Sequence, residues 1–326
     1  MRYILKRTLF LIFTIWVALT INFILPRAMP GNPAQVMIAK YRGQINPEAI
    51  KALEIAFGVN SDQTVFQQYF EYLKRMFTGD FGISVTFYPA TVSSVVSQSI
   101  LWTIGLLGVS TIISFFLGIR LGIWSGWKRK SPLSTTTIFI ALFLNSTPYF
   151  WVALIAVYLF GLQLKWFPLS GAYASGVAGW RLIGSILYHA ILPALTIIVT
   201  ATGGWILTMR NNMISVIQED YIKFAKAKGL PQKVIISEYA AKNAILPSFT
   251  GFAMSLGFII GGSLLTEMVF NYPGVGYMLY QSVLNIDYPL MQALFLIIMI
   301  TVLVANFIAD ITYSFLDPRI RTEGGA

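Results

Sequence analysis

Six stretches of roughly twenty largely apolar residues constrain this chain more than anything else in it. They lie at about 8–26, 100–125, 135–160, 186–208, 245–268 and 290–313. The hydrocarbon core of a bilayer is about 30 Å thick and an α-helix rises about 1.5 Å per residue, so roughly twenty apolar residues make one crossing. Within hydrocarbon every backbone N–H and C=O must be paired by the chain itself, and a helix pairs them without help from neighbours. The pattern therefore predicts an all-α membrane protein with six transmembrane helices. Composition agrees: 11% of the 326 residues are charged, against about a quarter in soluble domains.

Basic residues set the expected orientation. With the N-terminus inside, Arg2, Lys6, Arg7, Arg120, Lys128, Arg129, Lys130, Arg210, Lys223, Lys226, Lys228, Lys233, Lys242, Arg319 and Arg321 all face the cytoplasm. That is 15 of the 23 Lys and Arg residues, and only Glu219, Asp220, Glu238, Asp317 and Glu323 join them there. The inner segments thus carry the whole formal charge of +10, while the outer segments and Asp310 cancel. This is the positive-inside pattern of a multi-pass inner (cytoplasmic) membrane protein with both termini cytoplasmic. The excess charge needs no nucleic acid to explain it. The first stretch follows Arg2, Lys6 and Arg7 as a signal peptide would. It is longer than the usual apolar region of about 7–15 residues and lacks a small-residue cleavage site, so a retained anchor is expected.

The chain divides into an N-terminal anchor at 1–26, an extracytoplasmic subdomain at 27–99, a transmembrane core at 100–313 and a cytoplasmic tail at 314–326. Pro26, Pro30, Gly31 and Pro33 end the anchor. Asn46-Pro47-Glu48 reads as a helix start, Gly58 as its end, and 62–77 as a second amphipathic helix bearing Val65, Phe66, Tyr69, Tyr72, Leu73 and Phe77. This subdomain either meets a partner or forms a lid over helix ends. Gly105, Gly108, Gly118 and Gly122 in the second stretch, and Gly251, Gly257, Gly261 and Gly262 in the fifth, are small residues of the kind that let helices approach closely in lipid.

Catalytic and metal chemistry have little to work with. There is no Cys and only one His, His189. No disulfide, thiolate site or His cluster can form within the chain, and no enzymatic role is expected. Asp310 and His189 read as satisfied groups near helix ends. Asn145-Ser146-Thr147-Pro148 is different, because a proline inside an apolar stretch frees carbonyls and kinks the helix, as suits a pathway wall.

The most informative segment is the loop at 209–244. Asp220 can cap a helix start, lysines follow towards its C-terminal end, Gly229 can take a left-handed cap and Pro231 blocks continuation. The result is a helix of about two turns, too short to be stable alone in water. It either lies on anionic lipid or docks on a cytoplasmic protein.

Ala225-Lys226-Ala227-Lys228-Gly229-Leu230, followed by Asn243-Ala244-Ile245-Leu246-Pro247, resembles the signature loop of binding-protein-dependent ABC importer permeases, and more narrowly their peptide/nickel branch. The resemblance spans nearly the whole chain. Met1-Arg2-Tyr3 leading to Met29-Pro30-Gly31-Asn32-Pro33-Ala34 is similar to that branch's first span, and Gly79-Asp80-Phe81-Gly82 to the segment before its second. Glu267, Tyr272-Pro273-Gly274-Val275-Gly276, Asp287-Tyr288-Pro289 and Leu316-Asp317-Pro318-Arg319-Ile320-Arg321 follow in the family's order. The glutamate of the general motif is absent, Phe224 precedes Ala225, and the Gly229-to-Pro247 spacing exceeds that of sugar-type importers.

The resemblance implies the type I (MetI-like) permease fold, a sister permease subunit, two cytoplasmic ATPase subunits and an extracytoplasmic solute-binding protein. It implies ATPase coupling through Tyr221, Phe224, Ala225, Ala227, Lys228, Gly229, Leu230 and Pro231. Asn145, Thr147, Pro148, Ser255 and Glu267 are candidate pathway-lining residues. No Gly-x4-Gly-Lys-Ser/Thr phosphate loop occurs in the chain, so ATP and Mg belong to the ATPase subunits and no cofactor is expected here. Peptides are the expected substrate and oligosaccharides the alternative. An ion-coupled secondary transporter is the rival class; it needs ionisable groups in the bilayer interior, where only Asp310 is available.

Overall fold

The computed structural model describes residues 2–31 and 63–316. The expected helix start at Asn46 and the tail beyond Leu316 lie outside them. Twelve helices suffice to follow the described chain: α1 (Arg2–Ala28), α2 (Val65–Thr78), α3 (Val92–Trp127), α4 (Pro132–Ser146), α5 (Tyr149–Gln163), α6 (Trp180–Ile217), α7 (Asp220–Ala227), α8 (Gln232–Val234), α9 (Lys242–Gly257), α10 (Leu264–Val269), α11 (Val275–Leu284) and α12 (Tyr288–Leu316). Among the described residues there is no strand, only an isolated bridge between Ile83 and Thr91. Stretches of π-helix interrupt α3 at Ile104–Gly108, end α5 at Val157–Gln163, and join α8 to α9 at Ile235–Ala241.

Among the described residues four helices are long and apolar enough to cross a membrane: α1 from Leu5, α3, α6 and α12 to Ile311. They correspond to the first, second, fourth and sixth expected stretches. The third is a pair, α4 and α5, bent by 95°. The fifth does not form one continuous helix. α9 ends at Gly257, a 3₁₀ turn covers Ile259–Gly261, Gly262 takes φ +75°, and α10 begins only at Leu264. The chain is therefore a mostly helical, multi-pass membrane protein. Its apolar side chains remain outside: Leu9, Phe10, Ile12, Phe13 and Trp16 of α1 are all more than half exposed, a surface that water would not tolerate and lipid would cover.

The chain forms two compact units: residues 1–103, 260–268 and 273–326, and residues 104–259 with 269–272. In the first, α1 packs along α12 around Leu19, Phe23, Tyr72 and Leu296. Asn22 donates to the Tyr72 hydroxyl at 3.0 Å and to the Gln292 carbonyl at 2.9 Å. Burial pushes the Tyr72 hydroxyl above its usual range, against the opposing hydrogen bond from Asn22. α2 is the amphipathic helix expected near 62–77, opened by a Thr64/Gln67 capping box and closed by Gly79 in the left-handed region. Asp310 pairs with Arg7 at 2.8 Å, the satisfied state expected of it. In the second unit, His189 likewise sits 2.8 Å from the Ser185 carbonyl through Nδ1.

In the second unit α3 and α6 interlock. A Cβ on Gly122 would stand 2.6 Å from the Met209 Cβ, and one on Gly126 equally close to the Met213 Cβ; Gly118 meets Trp205 in the same way. Glycines four apart thus oppose side chains four apart, so the backbones meet without a gap. Of the glycines expected to do this, Gly118 and Gly122 do. Gly105 has nothing within 4 Å, and in the fifth stretch neither does Gly261. Gly126 completes the row. Phe115 stacks on Phe252 at 4.2 Å and meets Trp205 edge-on at 5.3 Å, tying α9 into the same core.

Candidate functional site

α7 occupies the second unit and is built by local chemistry at both ends. Glu219, extended at φ −66° and ψ 148°, is the N-cap, and Asp220 is the first helical residue. The cap expected at Asp220 is thus displaced by one residue, because the Asp220 carboxylate is taken by Lys223 Nζ at 2.8 Å, one turn on. That hydrogen bond and the charge of Lys223 hold Asp220 below the usual carboxylate range, and Asp220 in turn raises the Lys223 ammonium. At the other end Lys228 is the C-cap, and Gly229 takes φ +73°. The Gly229 N–H donates to the Lys226 carbonyl at 3.0 Å and the Leu230 N–H to the Ala225 carbonyl at 3.3 Å. These are the paired bonds of a Schellman motif. Pro231 then caps α8, its carbonyl accepting from Val234 and Ile235 at 2.9 and 3.1 Å.

One face holds the helix down. Ile222 and Ala225, three apart, are 0% and 1% exposed and pack in a cluster with Met209, Met213, Ile235, Ala240 and Ala244. Burying Ile222 alone contributes about 1.5–3 kcal/mol, which supplies what a two-turn helix lacks in water. Leu230, half-buried, packs against the same cluster.

The other face is open. Tyr221 is 39% exposed and Phe224 62%. Ala227, Lys228, Gly229 and Pro231 are exposed as well. The Lys228 ammonium lies 4.9 Å from the Phe224 ring, and that of Lys226 lies 5.4 Å from the Trp127 ring. Of the eight expected coupling residues, six therefore share an exposed surface, while Ala225 and Leu230 serve the anchor. Sequence reading did not single out Ile222 as that anchor, although its spacing from Ala225 was visible.

Three candidate pathway residues mark the bend between α4 and α5. Pro148 has no N–H to offer the Leu144 carbonyl; the Thr147 N–H reaches it at 3.3 Å, while the Thr147 hydroxyl donates to the Phe143 carbonyl at 2.8 Å. Asn145 is exposed, and its Oδ1 stands 3.1 Å from where a Cβ on Gly204 would be. Ser255 is half-buried and donates to the Phe252 carbonyl at 2.8 Å.

Glu267, in the first unit, is enclosed. It is 0% exposed, and its carboxylate accepts from the Thr103 hydroxyl at 2.9 Å and from the Gly276 and Tyr277 N–H groups at 2.7 and 3.2 Å. Thr103 in turn accepts from the Val275 N–H at 2.8 Å. Both of its carboxylate oxygens are thus bonded inside the unit. No group of three His, Cys, Asp or Glu side chains capable of holding a metal occurs among the described residues.

A multi-pass helical protein with a bilayer-facing apolar surface and a short, anchored, outward-facing helix has the makings of a membrane transport component driven by a separate partner. Known proteins bear this out. A family model described as "Binding-protein-dependent transport system inner membrane component" matches residues 118–322, and its N-terminal companion matches residues 1–114. The chain is 33% identical to the oligopeptide transport system permease protein AppB of Bacillus subtilis, over 98% of both chains. It is 31% identical to the dipeptide transport system permease protein DppB of Alkalihalophilus pseudofirmus, over 97% of this chain and 98% of that one. It is 29% identical to the glutathione transport system permease protein GsiC of Escherichia coli, over 98% and 99%. The chain belongs to the binding-protein-dependent ABC importer permeases, the non-catalytic membrane components of such systems.

Proposed function

We propose that this chain is the permease subunit of an ATP-driven peptide importer, forming half of its translocation pathway. The relatives that match it end to end are named for oligopeptide, dipeptide and glutathione transport. In this reading the chain crosses the membrane six times with both termini cytoplasmic, the interrupted stretch at 245–268 serving as the fifth crossing. A sister permease completes the pathway, a solute-binding protein delivers peptide outside, and two ATPase subunits bind ATP and Mg inside. Asn145, Thr147, Pro148 and Ser255 face the pathway. Glu267, closed in on every side, holds its own unit together.

The observation that carries the reading is the two-faced α7. Ile222 and Ala225 fasten it to α6 and α9, and Tyr221, Phe224, Ala227 and Lys228 are left for a partner. A push on that open face is passed straight into the interlocked helices, which is what alternating access needs from a coupling element. Gly229 sets the exit angle. A Cβ there meets nothing within 4 Å, so a β-branched residue suffers from the left-handed backbone, by about 1–2 kcal/mol, and not from a clash.

The test uses the assembled transporter in proteoliposomes. Uptake of a labelled oligopeptide is expected to require ATP and the binding protein. Gly229→Val is expected to abolish substrate-stimulated ATP hydrolysis while membrane insertion is unchanged. Stimulation equal to the wild type would remove α7 from the coupling path. Uptake that survives ATP depletion but collapses with an uncoupler would move the protein to the ion-coupled class.

A further inference from the structure

Beside α7 the second unit has a two-part recess. One part, about 500 Å³, lies between the end of α3 and the α8 region, walled by Ile123, Trp124, Trp127 and Ile236, with Arg120, Lys128 and Lys233 among the residues that line it. The other, about 470 Å³, is lined by Trp127, Lys128, Arg129, Lys130 and Ser131. Trp127 and Lys128 belong to both, so an apolar slot and a basic cup adjoin. None of the residues lining either part is acidic, and none of these five cations forms an ion pair among the described residues. Arg120 is notable on its own. It is exposed on a helix otherwise apolar enough to cross the membrane, seven residues before that helix ends.

We infer that this recess binds one anionic phospholipid, with an acyl chain along Ile123, Trp124 and Ile236 of the slot and the phosphate held in the cup by Lys128, Arg129 and Lys130. Three features select that occupant. A free phosphate would use the cup and leave the slot empty. A neutral lipid would use the slot and leave the cations unpaired. An acidic protein segment would meet a slot whose apolar wall comes mostly from the end of a membrane-spanning helix. Tryptophan and long basic side chains are also what a helix carries at the headgroup level, where an arginine below the surface extends its guanidinium up to phosphate. Trp127 further bears the Lys226 ammonium of α7 at 5.4 Å, so the lipid would be seated next to the coupling helix. The inference rests on the membrane-spanning reading and is independent of which solute is carried.

The test is native mass spectrometry of the complete, detergent-purified transporter, titrated in parallel with phosphatidylglycerol and phosphatidylcholine. Wild type is expected to keep one phosphatidylglycerol that the neutral lipid does not displace. Each cation removed weakens binding about fivefold, so the Lys128→Gln/Arg129→Gln/Lys130→Gln variant is expected to lose about a hundredfold. The charge-preserving Lys128→Arg/Arg129→Lys/Lys130→Arg variant should keep the lipid, which separates lost charge from misfolding. Equal retention of both lipids would overturn the site. So would its displacement by millimolar inorganic phosphate, or a triple variant that sheds its ATPase subunits while binding phosphatidylglycerol unchanged; that last result would assign the surface to the protein partner. Because the readout is bound lipid, it stands whether or not peptide transport is observed.

Discussion

The Glu267 turn of the first unit and the α7 turn of the second begin alike and finish differently. Each is a short helical piece beside a glycine bend, tied by a few hydrogen bonds. Around Glu267 every acceptor is consumed inside the protein, by Thr103, Gly276 and Tyr277. At α7 the internal bonds close the ends only, and one whole face, with Tyr221 and Phe224, is left unspent. In a chain this poor in charge, a buried carboxylate is kept where shape must not change. An uncommitted apolar-and-basic surface is kept where another molecule must hold on. A self-satisfied turn is a brace and a half-satisfied turn is a handle.

The sharpest way to break this contrast is Glu267→Ala. It strands the buried Gly276 N–H, the part-buried Tyr277 N–H and the Thr103 hydroxyl, at an expected cost of about 3–5 kcal/mol, read as lost thermal stability of the detergent-extracted complex. Glu267→Gln, which keeps a carbonyl for the amides, should lose less than half as much. A Glu267→Ala protein as stable as wild type would mean the enclosure is not structural. Next in size is Ile222→Ala. Emptying that fully buried position should cost about 2–4 kcal/mol and speed amide exchange across 220–228, with coupling lost. Unaltered exchange would show that the inner face is not what secures α7.

The smallest effect is the pH response of the Asp220–Lys223 pair. Asp220 is held below its ordinary 3.8, so its contribution is present above that value and is lost as pH falls through the lower folded value. Lys223 is held above its ordinary 10.5, so its contribution is present below that value and is lost as pH rises through the higher folded one. Protection of the α7 amides should stay flat between those limits and drop at either extreme. Asp220→Asn should remove the acid-side drop, and a wild-type acid profile in that variant would discard the pair as a determinant.

What the sequence made legible follows from which signals are local. α7 could be read almost whole, because a two-turn helix is defined by its own caps, and Gly229 and Pro231 are explicit about its end. Hydropathy likewise located α1, α3, α6 and α12. It set their lengths short, since the Ser-rich opening of α3 and the Arg210-Asn211-Asn212 stretch of α6 dilute the apolar average without stopping the helix. The bend at Thr147-Pro148 was visible in its proline, and its 95° size was not. The break after Gly257 escaped because hydropathy measures side chains and is blind to the backbone at Gly261-Gly262. Glu267 looked like a pathway residue for a different reason. Its partner Thr103 lies 164 positions away, and no local pattern announces that meeting. The π-helical turns left no mark in the sequence that hydropathy or spacing could detect.

α6 has 38 residues, which at about 1.5 Å each is roughly 57 Å, nearly twice the hydrocarbon it has to cross. Even steeply inclined, such a rod overshoots. Part of its length must lie outside the hydrocarbon, and α7 begins three residues after it ends. α7 is thereby mounted on the end of a rod whose middle lies in the lipid, so whatever turns the one turns the other.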